Sequence, residues 1–218
     1  MPEAAIGFFP DVGATHFLTR MPGRIGLFLA LTGTQIGRAD AYALGLLTHC
    51  IDKSEFDAIQ MAMCEADPVD PALDERHVDP GPSGLLEMQT NIDRHFSGDS
   101  VEDIIGSLND ATGEESAWAR DAAGRMDKNS PLSLKVAFHQ LRKCGRPSLE
   151  SALVLDARLA HQFLTGDEVY EGIRSLLIDK DGKPKWAQST LKEVSDDMVE
   201  AMFEPLETED FKPINPFA

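Results

Sequence analysis

Apolar positions recur along this chain with helical rather than alternating spacing. Over residues 24–31, Ile25, Phe28 and Leu29 share one helical face and Thr32-Gly33 supplies a stop, which predicts a helix. A shorter helix is predicted around 39–44, closing on Gly45. The brief apolar run 46–51 predicts a strand, and Ser54-Glu55-Phe56-Asp57 has the form of a capping box opening a helix toward Glu65. Between 67 and 84 come Pro68, Pro71, Pro80 and Pro82 with few apolar neighbours, the composition of an irregular connection.

Beyond that connection the pattern is helical. Starts are signalled at Ser100-Val101-Glu102-Asp103, Thr112-Gly113-Glu114-Glu115 and Ser130-Pro131. Leu134, Ala137, Phe138 and Leu141 form one stripe, and Leu149, Leu153, Ala157, Ala160 and Leu164 form another, so two helices are expected to pack on each other or on a shared core. Phe138 and Phe163 are expected in that core. Glu171-Gly172 beside Arg174 reads as a strand entry, Asp179-Lys180-Asp181-Gly182 as a turn, and 195–203 as a last amphipathic segment before a Pro-rich tail. The chain is therefore expected to be mainly α-helical with one or two short strands. Its parts are a first unit over 1–66, the connection 67–84 and a helical region 85–218.

Composition narrows the functional classes. With 218 residues, 42% of them hydrophobic, the chain can bury a substantial core. A formal charge of −17 repels nucleic acid and anionic membrane surfaces, so neither is an expected partner, and a polyanionic ligand needs a locally basic patch. The three cysteines, Cys50, Cys64 and Cys144, are widely spaced, which argues against a disulfide framework or a zinc site and fits a reducing cytoplasm. No run approaches the ~18 apolar residues of a membrane span. None of the six histidines has metal-ligand spacing. Asp179 and Asp181 lack the glycine offset and bidentate glutamate of a calcium loop. No metal or cofactor is expected.

The candidate chemistry lies in the first residues. Glu3 and Asp11 stand eight positions apart, with Gly7 and Pro10 between them preventing one continuous helix, so both can turn into one cleft. By spacing alone the plainer roles are favoured: Asp11 as an N-cap before Val12-Gly13-Ala14, and Glu3 as a surface carboxylate.

Family resemblance reverses that weighting. Pro2-Glu3, Gly7 and Pro10, with the Gly13 turn and Leu18-Thr19-Arg20 after them, resemble the central signature of the enoyl-CoA hydratase/isomerase (crotonase) superfamily. Leu31-Thr32-Gly33 and the stretch from Ala39 to Leu46 resemble its second block. Three features are similar to its 3-hydroxyisobutyryl-CoA hydrolases in particular: the acid at Asp11, the helix start Ser130-Pro131-Leu132-Ser133-Leu134-Lys135, and the segment from Asp167 to Arg174 with Ile178-Asp179-Lys180-Asp181 and Pro184-Lys185-Trp186.

The resemblance implies an α/β, ClpP/crotonase-like fold, of which the portion present is mainly helical. It implies hydrolysis of a short branched 3-hydroxyacyl-CoA thioester in valine breakdown, with Glu3 as the catalytic carboxylate and Asp11 as the second acid, both touching substrate. Glu3 can serve as general base or as nucleophile, and the sequence leaves both routes open. Two other expectations stand beside it: an enoyl-CoA hydratase or isomerase, and a non-catalytic helical remnant or binding module. In this superfamily a strand-rich region preceding the Glu3 motif supplies the oxyanion donors, so the 218 residues alone are expected to lack useful thioesterase activity. They are also expected to leave apolar surface at Ile6, Phe8, Phe9 and Phe17 uncovered. Such surface drives association, making a homo-oligomer one expectation.

Overall fold

The structure, a computed structural model, describes residues 1–65 and 68–206. Asp67 and the Pro-rich tail from 207 onward lie outside the described residues. The chain forms two compact units, one from residues 1–35 with 90–218 and one from 36–89. This grouping differs from the divisions at 66 and 84 drawn from composition.

The first unit opens with a 3-10 turn, Glu3–Ile6, that ends on Gly7 in the left-handed region at φ 70. Helix α1, Ala14–Leu18, and helix α2, Ile25–Thr32, come next. Every residue of α2 is buried, as expected of a helix that is apolar on all sides. Its Gly26 is required by packing, because a Cβ there would lie 2.0 Å from the Leu18 carbonyl oxygen.

The second unit holds α3 (Arg38–Ala43), α4 (Phe56–Cys64), α5 (Val69–Asp74) and α6 (Gly84–Glu87). Asp40 ties it together, accepting from the Ser83 hydroxyl at 2.7 Å and the Leu85 amide at 3.0 Å. Three expectations are corrected here. Residues 46–51 form bends and irregular backbone rather than a strand. Ser54 sits inside a 3-10 turn, and α4 has no side-chain cap. The Pro-rich 67–84 contains α5.

Returning to the first unit, the chain forms α7 (Gln89–His95), α8 (Val101–Asn109), α9 (Ser116–Met126), α10 (Pro131–Lys143), α11 (Leu149–Thr165), α12 (Glu168–Ile173) and α13 (Asp196–Phe203). Ser100, Ser130, Ser148 and Ser195 each accept an amide hydrogen bond at the start of their helix, satisfying a donor the helix cannot. The core joins Phe9, Val136, Leu159, Phe163, Val194 and Val199, with Phe8 and Leu155 packed on it. Phe138 is buried as well.

Phe9 is fully buried, and Phe8 packs on it with ring centroids 4.5 Å apart, while Ile6 and Phe17 are half-buried. Of the four residues expected to carry uncovered surface, Phe9 is fully covered, and Ile6, Phe8 and Phe17 each keep part of their surface exposed. The stripe expected on α11 is also out of phase. Leu149, Leu153 and Leu164 are exposed, and the buried face carries Ala152, Asp156, Leu159 and Phe163. The strand entry at Glu171 is likewise corrected, since α12 runs directly into a π-helical turn, Arg174–Ile178. No strand occurs among the described residues, so the β component of the expected α/β fold is not met within them.

Candidate active site

Glu3 begins the 3-10 turn and Asp11 lies just beyond its return. The left-handed Gly7 reverses the chain, and Phe8 and Phe9 then anchor it in the core. Adding a Cβ to Gly7 would bring it within 2.5 Å of the Glu168 carbonyl oxygen and 2.9 Å of the Trp186 ring. Glycine is needed at this position for both conformation and space.

Both predicted carboxylates are half-buried, and Asp11 stands close enough for its charge to act on Glu3. Burial, with a smaller contribution from the charge of Asp11, pushes the Glu3 carboxyl above its ordinary value, against the lowering effect of its own backbone N–H. Its Oε2 is buried and has no hydrogen-bond partner among the described residues. Asp11 does not act as the cap of α1: that position belongs to Gly13, and no side chain caps the helix. The backbone immediately after Asp11 is strained. Val12 is a β-branched residue at φ 54, and Gly13 next to it has φ 80.

A third carboxylate, Asp156, escaped the sequence reading. It projects from the buried face of α11 with 7% of its surface exposed, and its Oδ2 accepts the Gly13 amide at 2.6 Å. Its Oδ1 has no partner among the described residues. Burial raises its carboxyl to about 6, with the charge of Asp11 adding to the effect. Gln140 braces the same loop, donating to the Pro10 carbonyl at 2.9 Å and the Thr15 hydroxyl at 2.7 Å. A signal for Asp156 existed in the sequence: it is the acid at helical spacing with Ala152, Leu159 and Phe163.

Behind the Glu3 turn lie the segments singled out around Ser130 and from Asp167 to Trp186. The Ser130 amide donates to the Ala4 carbonyl at 3.0 Å. Its hydroxyl donates to Glu168 Oε2 at 2.6 Å, and Glu168 Oε1 accepts the Ala187 amide at 3.1 Å. Gly172 passes so near the turn that a Cβ would fall 2.2 Å from the Ile6 carbonyl oxygen. Arg174 gathers Glu171, Asp179 and Asp181 at 2.7–2.8 Å, which fixes the bend between α12 and Trp186. Through the Ser130 amide and Gly172 these segments pack on and hydrogen-bond to the turn that carries Glu3.

Cationic groups border two cavities of the first unit. One of about 440 Å³ lies beside Pro2 and Ala5, with Arg125 and Lys128 on its wall. Another of about 220 Å³ is lined by Arg24, Arg142 and Arg146. Asp121 also lines the first cavity and pairs with Arg125 at 2.7 Å, so in this acidic chain it is the second whose lining is cationic without an acid, a wall against which a polyanion can rest.

Residues 1–203 match the family described as enoyl-CoA hydratase/isomerase. The chain belongs to the enoyl-CoA hydratase/isomerase family. This family member is 37% identical, over 97% of its length, to the protein of Danio rerio named 3-hydroxyisobutyryl-CoA hydrolase, mitochondrial, of which it covers 57%. It is 35% identical to the human protein of the same name, with 97% of the chain and 57% of that protein covered. Identity to 3-hydroxyisobutyryl-CoA hydrolase 1 of Arabidopsis thaliana is also 35%, covering 96% of the chain and 58% of that protein. The chain thus spans a little over half the length of the curated relatives it matches.

Among solved structures, the family member resembles a carnitinyl-CoA dehydratase from Mycobacterium thermoresistibile at a TM-score of 0.85 and 38% identity, covering 95% of this chain and 59% of that one. It resembles an enoyl-CoA hydratase from Rhodobacter sphaeroides at 0.82 and 32%, covering 94% and 59%. The crotonase-like fold is therefore shown, through its helical part.

Proposed function

We propose that this family member hydrolyses 3-hydroxyisobutyryl-CoA to 3-hydroxyisobutyrate and free coenzyme A, a step of valine breakdown, with Glu3 as the catalytic carboxylate and Asp11 as the second acid. The observation carrying this reading is the Glu3 carboxylate itself, with a buried, unpartnered oxygen and a raised pKa beside a second acid. A carboxylate poised in this way is suited to exchange a proton with water or to attack a carbonyl directly. In the first route Glu3 takes a proton from water as the oxygen bonds to the thioester carbon. Collapse then breaks the C–S bond, and the thiolate receives the proton. In the second route Glu3 forms a transient anhydride with loss of the thiolate, and water cleaves it. The names of the relatives favour the hydrolase over the rest of the family.

The solved neighbours favour one other reading, water addition to or removal from an acyl-CoA carbon chain. Substrate fate separates the two. Hydrolysis releases a free thiol from 3-hydroxyisobutyryl-CoA, whereas a hydratase consumes the double bond of an enoyl-CoA and leaves the thioester intact. Both products are to be followed in the 218-residue chain and in a fusion carrying the N-terminal part of the Danio rerio relative. Thiol release without enoyl consumption supports the proposal, and enoyl consumption without thiol release contradicts it.

A further inference from the structure

The loop bearing Asp11 is held in an unusual way. Two successive residues, Val12 at φ 54 and Gly13 at φ 80, occupy the left-handed region. Glycine adopts it freely, but a β-branched valine does so only when its surroundings enforce it. Val12 itself is 70% exposed, so packing of its own side chain does not supply the constraint. The turn is closed by the Ala14 amide donating to the Asp11 carbonyl at 3.0 Å, and the Gly13 N–H within it points inward to Asp156 Oδ2 at 2.6 Å across 143 positions of sequence. Asp156 sits on α11 between Ala152 and Leu159, both fully buried. A carboxylate in such a place is unfavourable unless it has a use, and here only one of its oxygens is hydrogen-bonded among the described residues.

The geometry points to Asp156 as a positioning residue for the reaction: by accepting the Gly13 amide it holds the Val12-Gly13 turn left-handed and thereby aims the Asp11 carboxylate toward Glu3. The inference rests on the hydrolase reading for its catalytic consequence, although not for its structural content. Asp156 does not touch the reacting atoms. It acts through one amide on a residue two positions from Asp11, and Gln140 fixes the flanks of the same loop at Pro10 and Thr15. With Asp156 removed, the Gly13 N–H is buried without an acceptor, and Val12 is free to relax to negative φ, swinging Asp11 away.

The test uses Asp156→Ala and Asp156→Asn, with Asp156→Leu, which keeps the buried volume and lacks an acceptor, in case the alanine variant does not fold. The first readout is hydrogen exchange at the Gly13 amide in the 218-residue chain, which needs no turnover. Exchange is expected to be at least about tenfold faster in the alanine and leucine variants and near wild type in Asp156→Asn, whose amide oxygen replaces the acceptor. The second readout is thioester hydrolysis in the fusion with the N-terminal part of the Danio rerio relative. The variants without an acceptor are expected to lose on the order of 10²-fold in kcat, with KM changed by no more than roughly twofold, and asparagine restores turnover.

Unchanged Gly13 exchange in the variants lacking an acceptor overturns the inference. So does wild-type kcat in those variants, or an asparagine variant as impaired as alanine. Failure of the hydrolase reading has a different signature: Glu3→Gln retains full turnover, or no thiol is released at all, while Gly13 exchange still responds to Asp156.

Discussion

The hydroxyl of Ser130 donates a 2.6 Å hydrogen bond to the carboxylate of Glu168, 38 positions along the chain, and both residues are buried. That bond joins two segments that resemble the hydrolases most specifically in sequence, and Ser130 also holds the Glu3 turn through the Ala4 carbonyl. The resemblance in these segments is therefore one of support. They pack against and hydrogen-bond to the turn that carries Glu3.

Ser130→Ala removes both the bond to Glu168 and the cap on the Ser133 amide at 3.2 Å. Unfolding free energy is expected to fall by about 2 kcal/mol, the sum of a lost cap and a buried carboxylate left short of a partner. Urea denaturation checks this. A loss under about 0.5 kcal/mol, the scale of an unremarkable surface change, contradicts the role given to Ser130.

Asp156 gives stability an unusual pH dependence. Its folded carboxyl titrates near 6 against an ordinary 3.8, so the ionised form is the one the fold disfavours. Stability from this group is complete below the ordinary value and is lost as pH rises to about 6, by up to about 3 kcal/mol. The charge of Asp11 adds to the burial effect on Asp156, and Glu3, also raised, contributes with the same sign. Asp156→Asn should flatten the curve across this window and raise the melting temperature at neutral pH. Parallel curves for the two proteins contradict the assignment.

Arg174 produces the opposite slope at lower pH. Hydrogen bonds from Arg174 and from the Lys185 amide hold Glu171 down at about 2 from 4.5, and Arg174 also holds Asp181 well below the usual carboxylate range. Depressed carboxylates contribute stability that is present above their ordinary values and lost as pH falls through the folded ones. Melting temperatures measured from pH 5 downward should therefore drop more steeply for the wild type than for Arg174→Gln. Equal slopes count against the cluster as a stabilising bend.

Legibility in the sequence depends on how local each signal is. Helix α10 is legible because Ser130-Pro131 is a start with a local mechanism, and α2 because its apolar spacing and Gly33 stop need no tertiary knowledge. Glu3 and Asp11 are legible through the family signature around Gly7 and Pro10. Asp156 is not, because α11 is apolar on two faces. A stripe through Leu149, Leu153 and Leu164 reads as well as the buried one through Ala152, Leu159 and Phe163. Only the packing of Phe9 and Phe163 chooses between the faces. The strands expected at 46–51 and after Glu171 fail for a related reason, since short apolar runs suit helices and turns equally well.

Asp11 separates capping from chemistry. Because Gly13 occupies the N-cap of α1, Asp11→Ala should leave the melting temperature within about 1 °C, where loss of a true cap costs ~1 kcal/mol and several degrees. Hydrolysis in the fusion should nevertheless fall for both Asp11→Ala and Asp11→Asn. Full activity in Asp11→Asn contradicts a role for the charge.

The most direct test of Glu3 as the catalytic carboxylate is the kcat for thiol release from 3-hydroxyisobutyryl-CoA, compared between the fusion protein and its Glu3→Gln counterpart. Glutamine keeps the size of Glu3 and cannot act as base or nucleophile. Wild-type turnover of at least about 1 s⁻¹ is expected, with a loss on the order of 10³-fold in the variant and little change in KM. Near-normal turnover in a folded Glu3→Gln protein contradicts the assignment.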